Sequence, residues 1–193
     1  MSTRIPKRLK LRPHWRGLPI PYVAMIGGDG RPDFRVTDEV KRRSVMLNRC
    51  CQLCGQPLGK YIFFTGGTEA AAANAYFEPA AHLDCLIYAM QVCPFIAGKI
   101  EHADLAKAQA EYAGREAKRI AGGVTLKADD TFSAVRNPWW IIKKAMHYSY
   151  RRTPDKTVLL VPEVILKATT PLHPETMTTQ DWARVMKVLE SEN

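Results

Sequence analysis

The chain has 193 residues, 46% of them hydrophobic, and a formal net charge of +9 from 28 Lys+Arg against 19 Asp+Glu. That apolar content supports a real core and excludes wholesale disorder, while no apolar run is long enough to span a bilayer. The positive balance favours an acidic partner such as nucleic acid.

Residues 1–19 read as an irregular basic arm, because Pro6, Pro13 and Pro19 interrupt any helix. Arg4, Lys7, Arg8, Lys10, Arg12 and Arg16 lie in it with no acid among them. Such a run suits an arm that closes on phosphates, and equally a solubilising tail. The amino-terminal residues lack the apolar core of a secretion signal. Five cysteines, an odd number, suit metal ligands and free thiols in a reducing compartment better than a disulfide framework. A cytoplasmic location is therefore expected.

Tyr22–Ile26 and Phe34–Val36 flank Gly27-Gly28-Asp29-Gly30, which predicts two short strands joined by a turn. No Lys-Ser/Thr pair follows the glycines, so a phosphate-binding loop is not indicated. Thr37 or Asp38 can cap a following helix, with Val40, Val45, Met46 and Leu47 as its apolar stripe and Lys41, Arg42 and Arg43 mostly on the solvated side.

That helix leads to Cys51-Gln52-Leu53-Cys54-Gly55, answered later by His82-Leu83-Asp84-Cys85. Two thiols two residues apart, followed by Gly, can wrap a metal ion in a tight turn. His82 and Cys85, three apart, share one face at the start of a helix, for which Pro79 offers a favoured first position. Together Cys51, Cys54, His82 and Cys85 form a Cys3His set, the donor number and softness of a structural Zn2+ site. Cys51 is preferred to Cys50 because it gives the tighter turn, and Cys93, two turns beyond Cys85, is expected as a buried thiol. Between the two halves, Tyr61–Phe64 reads as a strand, Gly66-Gly67 as a turn, the alanines near 70 as a loop and Ala75–Phe77 as a return strand. Knuckle, hairpin, helix is the order of a treble clef. The helix from about Ala80 carries Leu83, Leu86, Ile87 and Met90 inward and stops at Cys93-Pro94.

Glu101 to Ile120 is Ala-rich and charged, predicting an exposed helix that ends at Gly122-Gly123. Asn137-Pro138 could open a helix carrying Trp139, Ile142, Met146 and Tyr150 on one face, or the same residues could form a long strand paired with Thr157–Val161. Here Trp139, Trp140, Lys143, Lys144, Tyr148, Tyr150, Arg151 and Arg152 interleave aromatic and basic groups, a pattern that can stack bases and neutralise phosphates, or form a half-buried element with snorkelling lysines. Thr178 or Thr179 caps a last amphipathic helix with Trp182, Val185, Met186 and Leu189.

The strings Leu18–Tyr22, Pro32–Val36, Cys51–Gly59, Glu78–Cys85 and Cys93–Phe95 resemble a family of uncharacterised zinc-finger-like proteins encoded by phages and bacteria. The resemblance covers residues 15–98 and, more loosely, the last third. It implies Cys51, Cys54, His82 and Cys85 as zinc ligands, strands over 137–161, a mobile-element origin and hence the host cytoplasm. Relative to that pattern, the helix over 101–120 is an insertion.

These readings give an α+β fold, a single domain built around a treble-clef-like Cys3His zinc site. It divides into the arm (1–19), a hairpin, helix and zinc core (20–98), an exposed Ala-rich helix (99–123) and carboxy-terminal strands and helix on the same domain (124–193). The expected function is non-enzymatic zinc binding with nucleic acid held by the arm residues and by Lys143, Lys144, Arg151 and Arg152. A second reading is a mobile-element factor whose partner is a host protein, motivated by the 101–120 helix. A third, an HNH-like nuclease, lacks a His between Cys54 and His82 and would have to rely on Asn74, Glu78 or Asp84. No complete catalytic set can be assembled, and the oligomeric state is open.

Overall fold

The computed structural model describes residues 3–94, 96–97 and 138–191, and the helix expected over 101–120 lies outside them. The arm is more ordered than its prolines suggest. Pro6 caps a one-turn helix, α1 (Lys7–Lys10), whose Leu9 is buried. A two-stranded hairpin follows, β1 (His14–Trp15) with β2 (Leu18–Pro19). Its two-residue turn places Arg16 and Gly17 at φ 49° and 80°, the double positive φ that tight hairpins require.

The next hairpin agrees with its sequence. β3 (Ala24–Ile26) pairs antiparallel with β4 (Pro32–Thr37) across the glycine turn, where the Asp29 carboxylate accepts from the Arg31 amide. Asp38 caps α2 (Glu39–Leu47) by accepting from the amides of Val40 and Lys41. The apolar stripe expected on α2 is wrong in detail: Val40 and Leu47 are 81% and 69% exposed, whereas Arg42 is 1% exposed. Helical spacing puts Arg42 on one face with Val45 and Met46. Its guanidinium is bonded to the carbonyls of Phe77 and Val158 and to Glu39, and it stacks on the Phe77 ring at 3.9 Å.

β5 (Ile62–Gly67) divides its side chains by the two-residue period of a strand. Ile62 and Phe64 enter one apolar cluster with Met46, Tyr76, Ala80, Ala145 and Leu160, and Phe63 enters another with Leu9, Leu86, Met90, Trp182 and Leu189. The alanines that follow form a helix, α3 (Thr68–Ala73), where a loop is expected. They carry the propensity for it, and Gly66 lets the helix close on the strand: a Cβ there would lie 3.0 Å from the Ala70 Cβ and 3.1 Å from the Tyr76 ring.

The expected return strand also does not form. Tyr76 makes an isolated bridge to Leu160, β5 meets the returning segment only at a Phe63–Ala81 bridge, and its strand partner is β6. α4 (Leu83–Val92) starts later than Pro79 would suggest, with His82 in its N-cap position. Its inner face carries the Leu83, Leu86, Ile87 and Met90 stripe. Of the two readings left open for the last third, the strand holds. β6 (Trp140–Arg152) and β7 (Val158–Ala168) join β5 in an antiparallel sheet ordered β5-β6-β7. Simple alternation is broken along β6: its register with β7 shifts between Lys144 and Ala145, and Val164, further along β7, sits at φ 52°. α5 (Thr179–Glu190), closed by a capping box between Thr178 and Asp181, covers the sheet face that α4 also covers. The described residues make a mixed α+β domain with a three-stranded sheet between two apolar clusters.

Candidate metal centre

The knuckle is built by backbone. The Cys51 amide donates to the Gln56 carbonyl, the Gly55 amide to the Cys51 carbonyl and the Leu58 amide to the Arg49 carbonyl, each at 2.8–2.9 Å. Closing this turn puts Gly55 at φ +77°, and a Cβ there would lie 2.5 Å from Tyr22 Cδ2. Glycine is thus required both for its backbone angle and for the ring packed against it. Tyr22 and Val23 donate their amides to Leu53 and Gln52, while Gln52 donates to the Ala80 and Pro79 carbonyls. These bonds draw the chain before the knuckle and the chain before α4 to the same place.

The result is a four-donor cluster. One ligand atom from each of Cys51, Cys54, His82 and Cys85 can be chosen so that all lie within 4.8 Å of one another. Cys51 and Cys85 are fully buried and Cys54 nearly so. His82 Nε2 lies 3.0 Å from the Pro57 carbonyl, so it must carry the proton. Nδ1 of the neutral ring is then left as the donor atom, and it lies 3.4 Å from Cys54 Sγ. A tetrahedral ion with bonds of about 2.3 Å to sulfur and about 2.0 Å to nitrogen would hold them roughly 3.5 Å apart. Fixing the tautomer through the far nitrogen is the usual support given to a ligating imidazole.

Among themselves the four groups divide protons unequally. Hydrogen bonds from Cys51 and Cys85 hold the Cys54 thiol far below its usual range. Hydrogen bonds with Cys51 and Cys54 push Cys85 far above it. Burial opposes charge on His82, but its contacts with Cys51 and Cys54 outweigh this and raise it to about 10. A divalent cation would resolve that competition by replacing shared protons. Four protein donors also fill a tetrahedral shell, leaving no position for a reactive water.

Cys50 lies beside this set and bonds to the Asn48 carbonyl, its thiol pushed up first by burial and then by Cys51 and Cys54. Cys93, expected to be buried, is half-buried at the α4 C-cap. The main partner of β5 is β6, and its link to the segment before α4 is a single antiparallel bridge between Phe63 and Ala81.

The ten basic residues expected to contact nucleic acid do not form one patch. Arg4, Lys7, Arg8, Lys10 and Arg16 are exposed and Arg12 is half-buried, its Nε bonded to the Ile20 carbonyl and its guanidinium over Tyr22. Arg8 pairs with Asp84 at 3.1 Å. Lys143 and Lys144 leave opposite faces of β6. Lys143 bonds to the Ala71 carbonyl and Asn74, and burial lowers its pKa. Lys144, 2% exposed, bonds to the Ser191 carbonyl and lies over the Tyr61 ring. Arg151 is bonded to the Ala73 carbonyl, and Arg152 is exposed.

Of the aromatic groups interleaved with these residues, Tyr148 and Tyr150 both donate to the Met46 carbonyl. Asn74 holds Lys143 and the Pro162 carbonyl, Asp84 holds Arg8 and the Cys85 amide, and Glu78 is exposed. Lys60, next to the knuckle, carries no mark in the sequence, where it stands alone between glycine and tyrosine outside any basic run. No protein-family model, no curated protein and no solved structure matches the chain.

Proposed function

We propose that the cluster holds a structural Zn2+ and that the protein is a non-enzymatic nucleic-acid-binding protein whose amino-terminal arm is presented by the metal centre. The observation that carries this reading is Leu9: the one buried residue of α1 packs in the same apolar cluster as Cys51, Cys54 and Cys85. The helix bearing Lys7, Arg8 and Lys10 is thereby anchored on the zinc core. Arg4, Lys7 and Lys10 are exposed and make no ion pair among the described residues, so their charge is available to phosphates. Three thiolates and a neutral imidazole suit Zn2+ in softness, and a saturated shell makes its contribution one of folding energy.

The zinc half is tested by elemental analysis and by Co2+ substitution, which should give one ion per chain in a tetrahedral thiolate environment. A Cys85→Ser chain that keeps the ion refutes it. The binding half is tested on zinc-loaded protein by a salt series with mixed DNA and RNA probes. Lys7→Gln with Lys10→Gln should flatten the slope of log K against log salt by about 0.9 for each phosphate no longer neutralised on duplex DNA and about 0.7 on single strands. Binding with an unchanged slope, or none at low salt, refutes the arm as the binding surface.

A further inference from the structure

Beside the metal centre, between α1, the segment leading into β5 and the end of α5, lies an open cavity of about 400 Å³. Its walls carry three cations from three separate parts of the chain: Arg8, Lys60 and Lys144. Lys144 is the unusual one. It is 2% exposed, yet no carboxylate among the described residues lies within ion-pair distance of it. Among the described residues its ammonium is compensated only by the Ser191 carbonyl at 3.2 Å and by the Tyr61 ring at 4.2 Å. The Lys60 ammonium lies over the same ring, at 5.0 Å. One tyrosine therefore gathers two like charges, one of them buried, an arrangement that dipoles and a π face offset only in part. At the rim, Arg8 shares its charge with Asp84, and the acid on the wall, Glu190, is exposed. His82 of the metal centre also lines the cavity, and the remaining wall is mostly apolar, including Phe63, Leu83 and Leu189.

We propose that this cavity binds a phosphomonoester carrying a body of mononucleotide size. The phosphate would lie between Lys60 and Lys144 within reach of Arg8, and the body against Tyr61 and the apolar wall. A dianion restores the charge balance that the described groups leave open, and the volume falls within the range of small-molecule sites. The phosphate can come from a free nucleotide or from the phosphorylated end of a strand, and the site is separate from the Arg4, Lys7 and Lys10 surface. It does not depend on nucleic-acid binding by the arm.

The test uses the full zinc-loaded chain. Calorimetric titration compares adenosine 5′-monophosphate with adenosine, and a short oligonucleotide bearing a 5′-phosphate with its 5′-hydroxyl counterpart. Binding of the phosphorylated member of either pair, at least about tenfold tighter than its partner, is expected, and Lys60→Gln should remove most of that difference. Lys60 is exposed, so this change leaves the fold intact. Lys144→Met should raise thermal stability without ligand and abolish the stabilisation that adenosine 5′-monophosphate confers. Preference for the nucleotide assigns the site to a free ligand, and preference confined to the phosphorylated oligonucleotide assigns it to a strand end. If phosphate makes no difference in either pair, or if Lys60→Gln preserves the full difference, the proposal is overturned even where the arm still binds nucleic acid.

Discussion

Replacing Arg42 with alanine should be among the most damaging single changes outside the metal centre. The side chain is 1% exposed and its guanidinium serves the carbonyls of Phe77 and Val158, tying α2 to the chain before α4 and to β7. Removing it takes the donor from two part-buried carbonyls, each loss costing about 1–3 kcal/mol if water does not replace the donor. The stack on Phe77 adds about 1–2 kcal/mol in a dry site. The pair with Glu39, whose side chain is 48% exposed, adds little after solvent screening. Relief of the desolvated charge offsets part of this loss, leaving about 3–5 kcal/mol, against about 5–15 kcal/mol for a whole domain. Arg42→Lys should lose nearly as much, since one ammonium cannot span the three acceptors of the planar fork. Urea titration of zinc-loaded protein reads the change as a fall in midpoint at constant slope. A loss below about 1 kcal/mol for Arg42→Ala, with zinc content unchanged, would mean that water and not the two carbonyls satisfies the guanidinium, refuting the anchoring role.

Gly55→Ala should cost more than about 2 kcal/mol, from the left-handed backbone and from the contact with Tyr22. In a double-mutant cycle Tyr22→Ala should recover the steric part, and strictly additive losses would show that the ring does not impose it. Tyr76→Phe removes a buried hydroxyl that has no partner among the described residues and should be neutral or stabilising by up to about 1 kcal/mol, whereas Tyr148→Phe removes the bond to the Met46 carbonyl and should cost about 1 kcal/mol. Equal losses in thermal denaturation would contradict that difference.

The α5 cap should show in acid. Bonds from Thr178 hold the Asp181 carboxyl below its ordinary value of 3.8. The cap's contribution is therefore complete above that value and is lost as pH falls through the lowered folded one. Thr178→Ala should cost about 1 kcal/mol at neutral pH and reduce this acid sensitivity. An unchanged acid limb would show that the cap does not titrate with folding.

The metal ligands were legible because their chemistry depends on spacing: a two-residue gap, a following glycine and a three-residue repeat leave few other uses for those residues. The β3–β4 turn and the Thr178 cap were legible for the same reason, each being a local device. What the sequence hid depended on distant partners. Arg42 reads as solvated until Phe77 and Val158 come to meet it, since a cation is buried only where acceptors already wait. The alanines after Gly67 read as a loop because glycine marks an end. In the fold, Gly66 marks a close approach, and the strand that should have returned at Tyr76 gives way to one drawn from β6, more than sixty residues later. The parting of the β6 charges follows from the strand reading itself, since adjacent residues face opposite ways; what the sequence hid was where each side leads, Lys143 to Asn74 and Lys144 to Ser191.

The arm shows why an ion held by this cluster would matter beyond holding a turn. Six bases with no acid among them read as a tail, and an untethered tail would meet phosphates only at the cost of ordering itself. With Leu9 buried against the cysteine cluster, Arg8 paired to Asp84 of α4 and Arg12 bonded to Ile20 beside the knuckle, much of that ordering is already supplied by the fold. The four donors lie where the knuckle meets α4, and those two elements make the surface on which the arm lies. Loss of the ion would therefore reach the arm through packing, with none of its own residues touching the metal.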